Sequence, residues 1–514
     1  MKCCIIKKIN ERGVSMGNSS GESSRRISKK ARQRQKIQRT VGLALTAVML
    51  IFMAVFIGLL TYLDVLPTIY TVAIVIVLVL ILIYVAISQF MKAHMIGKVL
   101  AVLLSVILAF GCYYLAVARN VLSNLEPESV DVVSIIVLND SDATSINETT
   151  EFLYGTDLGT DEVLTQTLLD GVKDELGVEV STQPYESWWE AVEALYAGNV
   201  QAIVFNEGYR ITADEYYPGF SENTRVLGYK EIENTVVIEA PDREITNECF
   251  TVLLSGMDSS GKLSSSGHSD VNIVATVNPS TKEILLVTIP RDSYVTVHYA
   301  DGTDSGSKKD KLTHTGSKGI ACTMATIEAL LDIDIDYYVR LNFTGLEKLV
   351  DALGGIDVVS DYAFTSYAKD FTYVKGVNHM SGYMALIFAR ERHAFADGDF
   401  QRSRNQIKVI QAIADKAMSI TMLTNYTGIM ESLKDVLGTN IPQEQMTKLV
   451  KMQLSDMSPW AIKSYTITGG TGMEYCLSYG VSPLSIVYPS ADMVEVAKAK
   501  MAAVRAGNDP DSVN

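Results

Sequence analysis

"FTVLLSGMDSSGKLSSSGHSDVNIVATVNPSTKEILLVTIPRDSYV" (Phe250–Val295) contains three apolar, β-branched runs, "FTVLLSG", "VNIVATVN" and "EILLVTIP", parted by polar turn-forming residues. Each run has strand length, and "NPSTKE" (Asn278–Glu283) joins the second and third tightly enough for an antiparallel hairpin. Downstream the period changes. "GIACTMATIEALLD" reads as a helix, "DYYVRLNF" as a strand, "TGLEKLVDALGG" as a helix capped at Thr344 and stopped by Gly354-Gly355, and "IDVVS" as a strand. Helices are expected over Gly382–Arg390 and Arg402–Leu437. Strands alternating with helices predict an α/β unit.

A second, smaller α/β pattern precedes it, over about 128–240. "SVDVVSIIVLND" (Ser129–Asp140) and "VQAIVFNEG" read as strands, and "DEVLTQTLLDGVKDELG" and "SWWEAVEALYAG", the latter opened by Ser187, as helices. No group of catalytic residue types falls here. Trp188 and Trp189, beside Ala191, Val192 and Leu195, fit helix packing better than sugar stacking.

Further upstream, Val41–Leu63, Ile69–Phe90 and Val99–Ala118 are uncharged apart from the turns between them, and each reaches the roughly 20 residues that cross a bilayer core of ~30 Å. Three transmembrane helices are therefore expected over 41–118. Residues 1–40 carry 12 Lys and Arg against two acids, whereas residues 119–514 carry a net charge of −26. The basic tail belongs on the cytoplasmic side, so three crossings place 128–240 and 248–510 outside the cell. A basic tail beside a membrane span fixes orientation and meets anionic lipid, and no nucleic-acid partner is expected. The cysteines match no metal signature; Cys249, Cys322 and Cys476 are read as isolated, with one disulfide open.

The acidic outer part nevertheless gathers Arg390, Arg392, Arg402 and Arg404 within "ALIFARERHAFADGDFQRSRNQIKVI" (Ala385–Ile410). Arg390 and Arg392 are two apart and can act together only where a helix ends or the chain is extended. Arg402 and Gln406 are four apart and share one helix face, from which Arg404 is turned away. Converging guanidiniums suit phosphate oxygens; a solvated face paired with Glu391, Asp397 and Asp399 is the alternative. Asp258 follows the first strand and Asp270 opens the second, and strand-end carboxylates can share one Mg²⁺ (or Mn²⁺) with substrate phosphates. Arg291 ends the third strand, where a local pair with Asp292 is the other reading. His268, His314 and His379 are scattered and expected to be structural or solvated.

The strand-end Asp258, Ser269-Asp270, Pro290-Arg291-Asp292, "DALGG", Arg390-x-Arg392 and "GDFQR", in that order over about 250–420, closely resemble the LytR-CpsA-Psr family of bacterial cell-wall proteins. The 128–240 segment resembles the accessory domain that precedes the main domain in some relatives. The resemblance implies an α/β/α fold and a phosphotransferase, moving a teichoic acid or capsular polysaccharide from an undecaprenyl-pyrophosphate carrier to peptidoglycan. It also implies Asp258 and Asp270 as ligands of Mg²⁺, with Arg291, Arg390, Arg392, Arg402 and Gln406 around the pyrophosphate. His268 departs from the family, which usually has Arg there. A pyrophosphate hydrolase at the same site, and a membrane-anchored wall sensor without catalysis, remain as alternatives.

Overall fold

The computed structural model describes the backbone of residues 19–64, 66–91, 94–122, 129–157, 162–234, 238–259, 263, 267–367, 370–396, 398–419, 429, 432–433 and 435–513. The chain divides into two compact units, Met1–Arg119 and Asn120–Asn514.

The described residues of the first unit form three helices, Ser19–Leu63, Thr68–Ser88 and His94–Leu122. Their apolar stretches Gln33–Leu63, Thr68–Ser88 and His94–Val117 are each long enough to cross a membrane. Met49, Val85 and Ala101 form one buried seam between them, and Met53, Leu78 and Leu108 another. Most of the other apolar side chains face outward, Ile51 and Ile107 among them, as lipid-facing surface does. Lys98 donates to Gln38, which ties the start of the third helix to the beginning of the first span.

Among the described residues the second unit holds two large sheets and four two-stranded ones. The smaller runs, strand by strand, Ser181–Tyr185, Leu153–Asp157, Ala202–Asn206, Ser129–Leu138 and Thr224–Asn234. Val133, Ile135 and Val137 meet Leu168 and Val172 of the Glu162–Leu176 helix on one face, while Ile136 and Ile203 meet Trp188 and Val192 of the Trp188–Tyr196 helix on the other. Covering on both faces explains why the central strands Ser129–Leu138 and Ala202–Asn206 read as apolar runs. Trp188 is core, 2% exposed, as its neighbours predicted.

The larger sheet runs Leu437–Thr439, Tyr337–Asn342, Phe250–Met257, Ser269–Asn278, Glu283–Thr288 and Ala461–Thr466. Phe250–Met257 pairs parallel with Tyr337–Asn342 and antiparallel with Ser269–Asn278, which forms the expected hairpin with Glu283–Thr288. One face packs Leu253, Val274 and Val287 under the Ile320–Leu331 helix and the C-terminal Ala491–Arg505 helix. The other packs Ile273 and Leu286 under Ile407 of the Gly398–Ala417 helix. The result is an α/β/α sandwich.

Two expectations change. The helix expected over Arg402–Leu437 covers Gly398–Ala417, much of 420–434 lies outside the described residues, and Leu437 begins a strand at the sheet's edge. The helix expected to be capped by Thr344 is Phe343–Ala352, and its cap is Asn342, whose side chain accepts from Gly345 N; Asn caps better than the helix-adjacent Thr could from inside the first turn. Cys249, Cys322 and Cys476 are free thiols, in agreement with their reading as isolated. The stop at Gly354-Gly355 holds, since both residues take the left-handed φ (76° and 85°) that glycine permits.

The two large sheets share packing with a C-terminal hairpin, Gly469–Cys476 with Tyr479–Pro489. Its Cys476, Tyr479, Leu484 and Ile486 enter the aromatic core around Trp188 and Tyr209, and Tyr479 stacks on Tyr216 with ring centroids 4.0 Å apart.

Candidate active site

The antiparallel register sets Met257 opposite Ser269. Asp258, one residue beyond the first strand, and Asp270, the second residue of its neighbour, therefore emerge at the same end of the sheet. Arg291 leaves the third strand beside them, and its Nη1 donates to both oxygens of Asp270 at 2.9 Å. Thr313 locks this pair from below: its hydroxyl donates to Asp270 at 3.0 Å, and its N–H donates to the Arg291 carbonyl at 2.8 Å. Asp292 lies farther from Arg291, at 3.7 Å, and nearer Lys311, at 3.3 Å. The principal partner of Arg291 is thus Asp270 rather than its sequence neighbour.

Arg390 is the last residue of the Gly382–Arg390 helix, and Glu391 beyond it is extended (φ −67°, ψ 125°). Glu391 is buried and accepts from Tyr367 N at 2.6 Å and Ala394 N at 3.0 Å. An extended residue anchored inward turns its two neighbours to the opposite side, which is how Arg390 and Arg392 come to serve one place. Gly382 makes this helix position possible, because a Cβ there would lie 2.1 Å from the Glu347 carbonyl oxygen. The Arg390 guanidinium rests 4.0 Å from the Phe343 ring centre and 3.7 Å from Asp258. On the next helix, Arg402 and Gln406 face the same space. Gln401 and Asn405 pack behind them, and Arg404 donates to Gln401 at 2.9 and 2.6 Å, away from it.

All seven of these residues, Asp258, Asp270, Arg291, Arg390, Arg392, Arg402 and Gln406, line one cavity of about 810 Å³. Behind them its wall is apolar, with Leu254, Leu341, Leu349, Ile387, Val409 and Ile413 among the lining side chains. Burial, with the charge of Asp270 added to it, pushes the Asp258 carboxyl up from the ordinary carboxylate range. At Asp270 burial opposes ionisation too, but the cationic neighbours, Arg291 foremost, outweigh it and hold the carboxyl low. Two like-charged groups with oppositely shifted protonation are an arrangement that a divalent cation would relieve. Among the described residues no group of three His, Cys, Asp or Glu comes together to hold a metal. Asp258 and Asp270 are the residues that could hold a cation in this cavity, since Mg²⁺ suits two carboxylates completed by phosphate and water.

The histidines correct the sequence reading. His268 and His314 are not scattered but buried side by side, ring centroids 5.2 Å apart. His314 Nδ1 lies 2.6 Å from Asp310 and 2.9 Å from Ser478 of the C-terminal hairpin. His268 Nε2 meets the Thr212 hydroxyl, and burial, then His314, pushes its pKa down to about 3. It is therefore neutral near pH 7 and supplies no charge to an anion. His379 is exposed beside Asp357, as expected.

Sequence reasoning missed the Arg210–Tyr216 helix of the smaller sheet, although its Ile211 and Glu215 line the cavity. It also missed Thr313, and it named Glu391 only as a partner on a solvated face, whereas Glu391 is the buried anchor between Arg390 and Arg392. The "KLTHT" run, which supplies Lys311, Thr313 and His314, was the available signal.

An α/β/α sheet with carboxylates and guanidiniums at its strand ends, set at the mouth of an apolar cavity, can hold an amphiphile with an oxyanion head. The LytR_cpsA_psr family model matches residues 220–494, and the chain belongs to this family. Over 205 residues, 39% of this chain and 65% of the relative, it is 37% identical to the polyisoprenyl-teichoic acid–peptidoglycan teichoic acid transferase TagU of Enterococcus faecalis. The protein of that name from Bacillus cereus is 35% identical over 206 residues, 40% of this chain and 65% of the relative. The chain thus spans just under two thirds of the length of these relatives. Among solved structures, B. subtilis TagV is 27% identical, with a TM-score of 0.43 over 51% of this chain and 99% of that one.

Proposed function

We propose that the second unit is a phosphotransferase that takes an anionic glycopolymer, of the teichoic acid or capsular polysaccharide type, from an undecaprenyl-pyrophosphate carrier and attaches it to peptidoglycan. One observation carries this reading: the apolar cavity of about 810 Å³ closes on a mouth of two carboxylates, four arginines and Gln406. A long isoprenoid tail fits the apolar wall, and a pyrophosphate fits the mouth. The relatives named above, polyisoprenyl-linked teichoic acid transferases, support it.

In the proposed step a peptidoglycan hydroxyl attacks the phosphorus that bears the polymer, and the bridging P–O bond of the pyrophosphate breaks. Polyprenyl phosphate leaves with the electron pair and takes up the hydroxyl proton, so atoms and charge balance. The chain's part is to fix and neutralise the phosphoryl oxygens. Arg390 and Arg392 reach them from the helix end, Arg402 and Gln406 from the facing helix, and Arg291 from the third strand. Asp258 and Asp270 would hold Mg²⁺ (or Mn²⁺), which when bound withdraws charge from those oxygens. His268, buried and neutral, adds no charge to them. The membrane helices tether the site near a lipid-linked donor, raising its effective concentration, and the charge asymmetry orients the second unit outside the cell.

The test is to incubate the full chain in detergent with a synthetic undecaprenyl-pyrophosphate disaccharide, peptidoglycan fragments and Mg²⁺, and to weigh the products. A ligated glycan is expected. Free saccharide phosphate alone would make the protein a hydrolase, and unchanged donor a binding protein.

A further inference from the structure

Next to the large cavity lies a second pocket of about 170 Å³. The sheet order accounts for the division. The large cavity covers Tyr337–Asn342 and Phe250–Met257, whereas the small pocket covers the next two strands, with Asn272 and Thr288 in its lining. Asp270, Arg291, Arg402 and Gln406 line both spaces and so form the partition.

The far wall comes from the C-terminal hairpin, which has no part in the large cavity. Val487 N donates to the Asp292 carbonyl at 2.8 Å, and Ser293 bridges Val487, which fixes the hairpin against the turn that carries Arg291. Thr471 pairs with Val487 and Met473 with Ser485. Alternation then puts Thr471, Met473, Ser485 and Val487 on one face, with Tyr475 exposed beyond Met473 at the register shift between Glu474 and Cys476, while Leu484 and Ile486 on the other face are buried in the aromatic core. Thr471, Ser485 and Val487 line the pocket. Met473 and Tyr475 lead on from this face into solvent, 62% and 58% exposed.

We infer that the small pocket is the subsite for the acceptor sugar, and that the Met473–Tyr475 ridge carries the glycan strand onward. This rests on the phosphotransfer reading. In a phosphoryl transfer the attacking and departing oxygens lie roughly in line through phosphorus. The departing oxygen belongs to the lipid phosphate, on the side of the apolar cavity, and the partition residues hold the phosphoryl group. The attacking hydroxyl therefore comes from the small pocket. That pocket suits one pyranose ring, offering the exposed hydroxyls of Thr471 and Ser485 and the ring of Phe400. Tyr475 is four residues along the strand from Thr471, ~13 Å at about 3.3 Å per residue, a spacing at which a neighbouring sugar of an extended glycan can stack on its ring. The bond changes are those given above and need no further reactant.

The test uses the full chain in detergent with two probes, a GlcNAc–MurNAc tetrasaccharide and the undecaprenyl-pyrophosphate disaccharide. Ser485→Tyr fills the pocket from one strand and Thr471→Tyr from the other; both positions are exposed, so either reports if its partner misfolds. Each should weaken tetrasaccharide binding and raise the acceptor KM by about tenfold or more, and Tyr475→Ala by about threefold, with donor Kd held within about twofold. Tetrasaccharide binding by both filled variants as in the parent chain, no binding by the parent, or an equal loss of donor affinity overturns the subsite. The transfer reading fails separately, by a parent chain that yields no ligated glycan, and the binding measurement still judges the pocket.

Discussion

The two large sheets of the second unit are built alike, each with apolar strands buried between helices, yet they treat their polar strand ends differently. In the smaller sheet those ends are closed within the sheet's own loops: Asn206 accepts from Gly208 N at 2.8 Å, and Thr165 donates to the Asp157 carbonyl at 3.1 Å. In the larger sheet Asp258, Asp270 and Arg291 meet at one end and open onto a cavity. One set of polar groups completes a fold, and the other is held ready for something outside it. The same architecture thus supplies a scaffold in one case and a site in the other, and substitutions should separate the two.

The largest effect belongs to the partition. Asp270→Ala leaves Arg291 half of a broken, part-buried pair, so it should cost about 2–3 kcal/mol of stability as well as abolishing transfer. Asp258→Ala should abolish transfer with a far smaller change in Tm, since Asp258 meets Arg390 only at 3.7 Å. Thermal unfolding beside a transfer assay checks both. Equal stability losses would mean that the two carboxylates do the same structural work.

Trp188→Ala is the mirror case. It empties the core of the smaller sheet and should cost about 3–5 kcal/mol, while turnover per folded molecule changes little at a temperature where the variant is folded. A turnover loss matching that of Asp258→Ala would show that the smaller sheet takes part in the chemistry.

Next come Arg390→Lys and Arg392→Lys, which keep the charge and lose the planar fork. Each should lower turnover about 10²-fold, about 2.7 kcal/mol, with little change in Tm. Arg404→Lys, whose parent side chain turns to Gln401, should change little. If all three behave alike, or the first two lower Tm instead of rate, the arginine segment is a structural face.

How much of this was legible follows from what each feature depends on. The strands and helices of the larger sheet were readable because apolar periodicity and glycine stops are local, and the Arg390/Arg392 geometry followed from the two-residue spacing. The cavity was not readable: Leu346, Leu349, Val409, Ile410 and Ile413 keep the same helical spacing whether they face a core or a ligand. The adjacency of His268 and His314, 46 residues apart, depends on tertiary packing that no local pattern encodes. The C-terminal hairpin was missed because its glycine-rich "GGTGMEYC" lacks a β-branched run.

The smallest predicted effect falls where the two sheets touch. Thr212, on the Arg210–Tyr216 helix of the smaller sheet, meets His268, two residues from Asp270. Thr212→Val keeps the volume and removes the hydroxyl, leaving the buried imidazole nitrogen without that partner, and should cost about 1 kcal/mol of stability. Thr212→Ser restores the hydroxyl and should restore stability. If the helix only supports the fold, kcat and the donor KM stay at the parent values in both variants. If it also holds the strand end that carries Asp270, Thr212→Val raises the donor KM and Thr212→Ser returns it. The second outcome is expected, because Ile211 and Glu215, the flanking residues on that helix, already form part of the cavity wall. An unchanged donor KM in Thr212→Val would restore the clean division between scaffold and site.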